Sequence, residues 1–245
     1  LKQPAVGQFF VTLDYPAYTS RPTDTLAPNV GDLSALYGTR ATWHVNFRGP
    51  VDEARFRQRF SDSAASAEQQ TIEGQSLTQS LQKPFAYQFI LRSDADVPNA
   101  DTVAYNVDVA PDQHPSVTIR RPSMEAGLPS TGILPLEVDY QDDYGFTRAK
   151  LYYRFLESND PGKADGDYQT EFLPLTKQGT AAQTIDRMDF IEMGASQGDI
   201  IEFYVRIWDN DQLRGPKATS SVLHKVVYQS LQKKYDELNE SSESI

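Results

Sequence analysis

The stretch Gly194-Ala195-Ser196-Gln197-Gly198 spells G-x-S-x-G, the spacing of a nucleophile elbow. Asp209 and His224 follow in the chain order of an α/β-hydrolase triad. An elbow needs a strand before its serine and a helix after it. Here the β-branched, aromatic run Ile200–Trp208 follows the serine instead. The roughly thirty residues from Ser196 to His224 are too few to build a hydrolase sheet. The expectation is a loop entering a strand, with no hydrolytic role for Ser196. The acidic clusters pose a second chemistry: Asp94/Asp96, Asp139/Asp142/Asp143, Asp165/Asp167 and Asp209/Asp211. Calcium takes six to eight oxygens from such carboxylates and from backbone carbonyls. None of the clusters matches the D-x-D-x-D-G calcium loop, and Asp also closes turns by bonding its own backbone. Solvated turns are therefore expected, with Asp142-Asp143-Tyr144-Gly145 linking two strands. Calcium at Asp94, Asp96, Asp139, Asp142, Asp143, Asp209 and Asp211 is the alternative that the structure must judge.

The three histidines are scattered: His44 on the polar side of an alternating run, His114 between two prolines, His224 near a late strand. They form no metal triad, and surface or hydrogen-bonded roles are expected. No G-x-G-x-x-G or G-x-x-x-x-G-K-[ST] loop occurs, which argues against nucleotide chemistry. Carboxylates are plentiful, yet nothing singles out a glycosidase pair. No catalytic, cofactor-binding or metal-ligating residue is assigned, and no cofactor is expected. Most aromatics fall at strand-alternate positions and read as core: Trp43, Phe47, Phe89, Tyr105, Tyr153, Phe155 and Phe203. Tyr15, Tyr18, Tyr37 and Tyr144 read as loop aromatics, which would pack on a sandwich rim or stack on sugars. Arg55, Arg57 and Arg59 form a basic stripe, expected to keep an edge strand from pairing.

What must hold these residues is β-structure. Arg40–Arg48 alternates cleanly, with Ala41, Trp43, Val45 and Phe47 on one side. Similar runs are Phe9–Leu13, Phe56–Phe60, Phe85–Leu91 and Thr102–Val109. Beyond Pro111 and Pro115 come Val117–Ile119, Leu134–Tyr140, Ala149–Phe155, Tyr168–Leu175, Ile200–Trp208 and Ser220–Val227. Short strands between turn signals predict sandwiches. The 245 residues carry no cysteine and a net charge of −11, so disulfides and Cys-held metals are excluded and nucleic acid is an unsuitable partner. No run reaches the length of a membrane-spanning helix. Tyr228, Leu231, Tyr235, Leu238, Ser242 and Ile245 space as a heptad seam. With an opening at Leu1 rather than Met, the chain reads as a piece of a longer protein.

Two segments read as an internal repeat. Thr39-Arg40-Ala41 through Phe47 matches Thr147-Arg148-Ala149 through Phe155. Gln88-Phe89-Ile90-Leu91-Arg92 matches Glu202-Phe203-Tyr204-Val205-Arg206. The segment Ala110–Pro115 reads as a stiff junction. The second copy's Ile200–Trp208 with Asp209-Asn210-Asp211 resembles the penultimate strand and loop of fibronectin-type or immunoglobulin-like domains. Further pieces are Val11-Thr12-Leu13-Asp14-Tyr15-Pro16-Ala17-Tyr18-Thr19, Gly31-Asp32-Leu33, Gly38-Thr39, Asp142-Asp143-Tyr144-Gly145-Phe146 and Trp208-Asp209-Asn210-Asp211 with Gly215-Pro216-Lys217. In this order they resemble a bacterial family of uncharacterised, membrane-anchored envelope proteins with a coiled coil after the β-rich region. The resemblance implies an envelope or periplasmic location and no activity.

The expected fold class is all-β, two tandem immunoglobulin-like sandwiches with a short C-terminal amphipathic helix. Their spans are 1–112 and 113–227, with 228–245 opening a helix or coiled coil. The expected function is a non-catalytic structural or protein-interaction module of a larger envelope protein. Its partner would be an unknown protein or a second copy through the C-terminal helix. A carbohydrate-binding or accessory module, stiffened by calcium, is the alternative.

Overall fold

A computed structural model of the chain describes residues 2–60, 67–99, 103–164 and 166–229. The chain is all-β; the single helical segment among the described residues is the 3-10 turn Ala17–Thr19. It divides into two compact units, Leu1–Asp112 and Gln113–Ile245.

Unit 1 contains β1 (Ala5–Asp14), β2 (Asp24–Thr25), β3 (Leu33–Leu36), β4 (Arg40–Arg48), β5 (Glu53–Phe60), β6 (Glu68–Thr71), β7 (Ser76–Ser80), β8 (Phe85–Arg92) and β9 (Tyr105–Ala110). One sheet runs β2-β1-β4-β7 and the other β3-β9-β8-β5-β6. All neighbours are antiparallel except β3 and β9, which run parallel. Period-two alternation turns Ala41, Trp43 and Val45 of β4 into the core, each at most 1% exposed. They meet the inward residues of the other sheet. The Trp43 ring lies 4.9 Å from Phe56 and 5.5 Å from Tyr87, and Phe9 lies 5.2 Å from Phe89. Such ring pairs add about 0.5–1.5 kcal/mol each to the burial itself. Gly31 is required by this packing, because a Cβ there would sit 2.2 Å from the Tyr105 ring. The Gly31 carbonyl in turn accepts the buried Tyr87 hydroxyl at 2.9 Å.

Unit 2 contains β10 (Ser116–Arg121), β11 (Glu125–Gly127), β12 (Ile133–Gln141), β13 (Phe146–Glu157), β14 (Gln169–Leu173), β15 (Thr176–Gln178), β16 (Ala181–Asp189), β17 (Ile200–Asp209), β18 (Ala218–Ser220) and β19 (His224–Val227). Its sheets run β10-β12-β16-β15 and β11-β19-β17-β13-β14, with β18 also pairing β17. Leu136, Val138, Tyr140, Ala182 and Met188 of the first sheet pack against Leu151, Tyr153, Phe155, Ile201, Phe203, Val205 and Ile207 of the second.

The pairing corrects several expectations. β8 and β17 do hold the same place, each central in its sheet between β5 or β13 and the last strand. β4 and β13, the other matched segments, do not: β4 pairs β1 and β7, whereas β13 lies beside β17 in the opposite sheet. The Thr-Arg-Ala likeness is alternation alone, which any half-buried strand shows. Tyr168–Leu175 holds the shorter β14, which stops before Pro174, a residue without an N–H for the ladder; β15 then begins at Thr176 in the other sheet. Ser220–Val227 covers the end of β18 and all of β19, both paired with β17 in one sheet. The strand β16 escapes the sequence pattern although it pairs β12 along its whole length. Ile185 is 74% exposed there, so hydrophobicity points to the wrong face. The Arg55-Arg57-Arg59 stripe guards no edge, because β5 has β6 on one side and β8 on the other. Tyr228, first in the heptad seam, is buried in the core of unit 2. Its N–H donates to the Asp199 carbonyl at 2.9 Å and its carbonyl accepts from Gly198. Leu231, Tyr235, Leu238, Ser242 and Ile245, and with them the expected C-terminal helix, lie outside the described residues, as do Thr102 and Asp165.

Candidate interaction site

The two longest strands of unit 2, β13 and β17, lie side by side and antiparallel. Their inward residues fill the core, so the residues between them must point outward. Register places Arg148 opposite Trp208, Lys150 opposite Arg206, Tyr152 opposite Tyr204 and Arg154 opposite Glu202. β14 adds Phe172 opposite Lys150. The outer face of one sheet thus carries alternating aromatic and charged cross-strand rows.

The rows interlock. Tyr152 and Tyr204 stack at 4.9 Å with ring planes 4° apart, and Tyr168 meets Tyr204 edge-on at 5.2 Å. The guanidinium carbons of Arg148 and Arg206 lie 4.6 and 5.3 Å from the Trp208 ring centre. The Lys150 ammonium lies 4.5 Å from that of Phe172, which is itself 73% exposed. At one end Glu202 accepts both the Arg154 Nε–H and the Tyr168 hydroxyl at 2.6 Å. Burial pushes the Glu202 carboxyl up, but the Tyr168 hydroxyl and the Arg154 guanidinium outweigh it and hold the group below the usual carboxylate range. Burial first, and then the Glu202 hydrogen bond, push the Tyr168 phenol up to about 12. At the other end no such neutralisation occurs. Among the described residues no carboxylate lies within ion-pair distance of Arg148, Lys150 or Arg206.

The acidic clusters are tied up differently. Asp209 is fully buried and Asp211 nearly so. The Lys217 ammonium sits 2.5 Å from one and 3.5 Å from the other. Asp209 also accepts the Lys217 backbone N–H at 2.8 Å, and Asp211 accepts Leu213 and Arg214. A lysine already occupies the place a cation would take. Asp142 accepts the backbone N–H groups of Tyr144 and Gly145 at 3.0 and 2.7 Å. The 142–145 segment is the turn between β12 and β13, with Gly145 at φ +127° where a side chain would be strained. Asp143 accepts the Gln113 N–H at 3.4 Å. Asp139 pairs with Arg120 and Gln183, Asp96 pairs with Arg92, Asp94 caps the Ala95 N–H, and Asp167 is exposed. Among the described residues no three His, Cys, Asp or Glu gather as a metal would require.

The serine motif is a loop. Ser196 is exposed just before β17, and Asp209 ends that strand, ten residues long. At about 3.3 Å per residue the two stand roughly 30 Å apart. His224 is buried against Phe203 and bonds the Ser123 carbonyl at 3.2 Å. His44 stacks on Phe10 at 4.5 Å, and His114 is exposed. The loop aromatics are not free platforms: Tyr18 is buried, Tyr15, Tyr37 and Tyr144 are half-buried, and Arg21 covers Tyr15. Sequence reading missed the outer-face cluster, since Arg148 and Arg206 were noticed only as repeat markers. The available signal was the outward phase of two aromatic strands, Tyr152 and Tyr204 above all.

No family model matches the chain, and no curated protein matches it. Among solved structures, the fibronectin(III)-like modules of Clostridium thermocellum CbhA align over 89% of this chain and 94% of theirs, at 13% identity and a TM-score of 0.28. A bacterial ice-binding adhesin aligns over 80% of this chain and 61% of its own, at 8% identity and 0.48. A DUF3823 family protein from Bacteroides ovatus aligns over 74% and 91%, at 13% identity and 0.29. At these scores the strand order, and not the likeness, carries the architecture. No helix among the described residues is long and apolar enough to cross a membrane.

Proposed function

We propose that this chain is a non-catalytic protein-interaction module of a larger envelope protein, built from two tandem immunoglobulin-like sandwiches. The sandwich reading is supported by two face-packed sheets in each unit and by a central strand flanked as β8 and β17 are. The envelope location rests on the resemblance of motifs. The heptad spacing of Leu231, Tyr235, Leu238, Ser242 and Ile245 adds self-association to the same proposal. The observation that carries an interaction role is the outer face of β13, β14 and β17. It concentrates Trp208, Tyr152, Tyr204, Arg148 and Arg206, the residue types that dominate binding energy at protein interfaces.

The test is a photo-crosslinking residue in the parent protein in its own cells, placed at Phe172 or, as a control, at Ile90 on the outer face of unit 1. A protein adduct formed at position 172 and not at 90 is expected. No adduct at 172, or equal adducts at both, would overturn the reading.

A further inference from the structure

Lys150 and Arg206 stand directly opposite each other on adjacent strands, with Arg148 one outward position away. Like charges in that relation destabilise a sheet. The chain offers 34 carboxylates against 23 cations, so a neutralising partner would be simple to supply. Within the same face Arg154 has one, in Glu202. Among the described residues Arg148, Lys150 and Arg206 have none within ion-pair distance, and the Arg206 Nε is buried without a hydrogen-bond acceptor. Their positive charge is held in place by Trp208 and Phe172. The face is a sheet surface, so a small ligand, which binds in concave sites, is a poor fit, while an extended surface suits it.

Resting on the interaction-module reading, we propose that an acidic segment of a partner protein docks on the Arg148–Lys150–Arg206 cluster, with Phe172 as its apolar anchor. Charge complementarity selects the partner: a segment rich in Asp and Glu supplies carboxylates to a face where two cations stand opposite each other. A protein fits better than an acidic polysaccharide. Sugars stack on open ring faces, and here Tyr152 and Tyr204 turn faces to each other while two guanidinium groups cover Trp208.

The experiment measures fluorescence anisotropy of a labelled Glu-rich peptide carrying one Phe, titrated with the chain at low and at physiological salt. Heparin and alginate are run as competitors. Binding should weaken with salt and fall about tenfold in Arg206→Glu and in Lys150→Glu. Arg57→Glu on unit 1 should leave it unchanged. Lys150→Glu should also keep or raise the melting temperature, since it converts a like pair into an opposite one, so lost binding there is not lost folding. No peptide binding, binding indifferent to both reversals, or binding of the polysaccharides in place of the peptide would overturn the proposal. A crosslinked partner at Phe172 with no acidic segment would overturn it while leaving the interaction module intact; absence of any adduct removes the module reading itself.

Discussion

The outer faces of β5 and β8 in unit 1 and of β13 and β17 in unit 2 are equivalent places in two similarly ordered sheets, and they carry different chemistry. In unit 1 Arg55, Arg57 and Arg59 stand opposite Ile90, Gln88 and Ala86. No ring lies on those outward positions, and Arg55 is neutralised by Glu53. In unit 2 the same positions hold two tyrosines, a tryptophan and two cations, Lys150 and Arg206, directly opposite each other. The cores contrast less. Unit 1 centres on Trp43, Phe56 and Tyr87, and unit 2 buries Tyr140, Phe190 and Phe203 among aliphatic residues. Burial constrains inward positions in both units, whereas outward positions are free to diverge. Like charges set opposite each other on a sheet face are a cost to folding.

The largest effects should come from what holds each unit together. Phe56→Ala removes the ring against Trp43 and should destabilise unit 1 by about 3–5 kcal/mol. Asp209→Ala leaves the Lys217 ammonium, mostly buried, without its nearest carboxylate and should cost unit 2 about 3–5 kcal/mol. The chain's two tryptophans, Trp43 in unit 1 and Trp208 in unit 2, report these losses separately in denaturant titrations. If Asp209→Ala left the Trp208 transition in place, the buried Asp–Lys pair would not be a structural tie.

An intermediate effect concerns alkali. Burial pushes the Tyr140 phenol up to about 12, the Thr184 hydrogen bond opposing it only partly, and burial raises Tyr87 further still. A folded pKa above the unfolded one means that stability is complete below the ordinary tyrosine range, about 10, and is lost as pH rises from there through the folded value. Tyr140→Phe should therefore move the alkaline unfolding midpoint of unit 2 upward and leave unit 1 where it was. A midpoint unchanged in both units would show that unit 2's alkali sensitivity lies elsewhere.

The smallest effect separates the two faces most directly. Lys150→Glu should stabilise unit 2 by about 0.5–1 kcal/mol, by placing a carboxylate opposite Arg206. Arg57→Glu, between Gln88 and Gln69, should stay within about 0.5 kcal/mol of the parent. Equal shifts from both reversals would mean that only net charge is being sensed and would erase the distinction between the faces.

Much of this was legible without coordinates. Alternation located β4, β8, β12, β13 and β17 to within a few residues, because a half-buried strand must repeat every two residues. The turn at Asp142–Gly145 and the loop at Ser196 followed from residue types and flanking segments. Strands with weak or misdirected hydrophobicity, β16 with its exposed Ile185 and the four-residue β6, were not legible, since they are held by pairing and not by their own burial.

The sequence by itself determined that the chain is β-structured, that it has no cysteine chemistry or phosphate loop, and which side of each strong strand turns inward. Only the tertiary structure decided which sheet each strand joins, because both sheets of a sandwich impose the same alternation. That is why β4 and β13 look alike yet stand in different places. It also decided the two charge arrangements that matter most. Asp209 meets Lys217 through a loop closure, and Lys150 meets Arg206 through a cross-strand register. Neither distance is encoded in local spacing; each is set by the burial of a whole face, which fixes register to the residue.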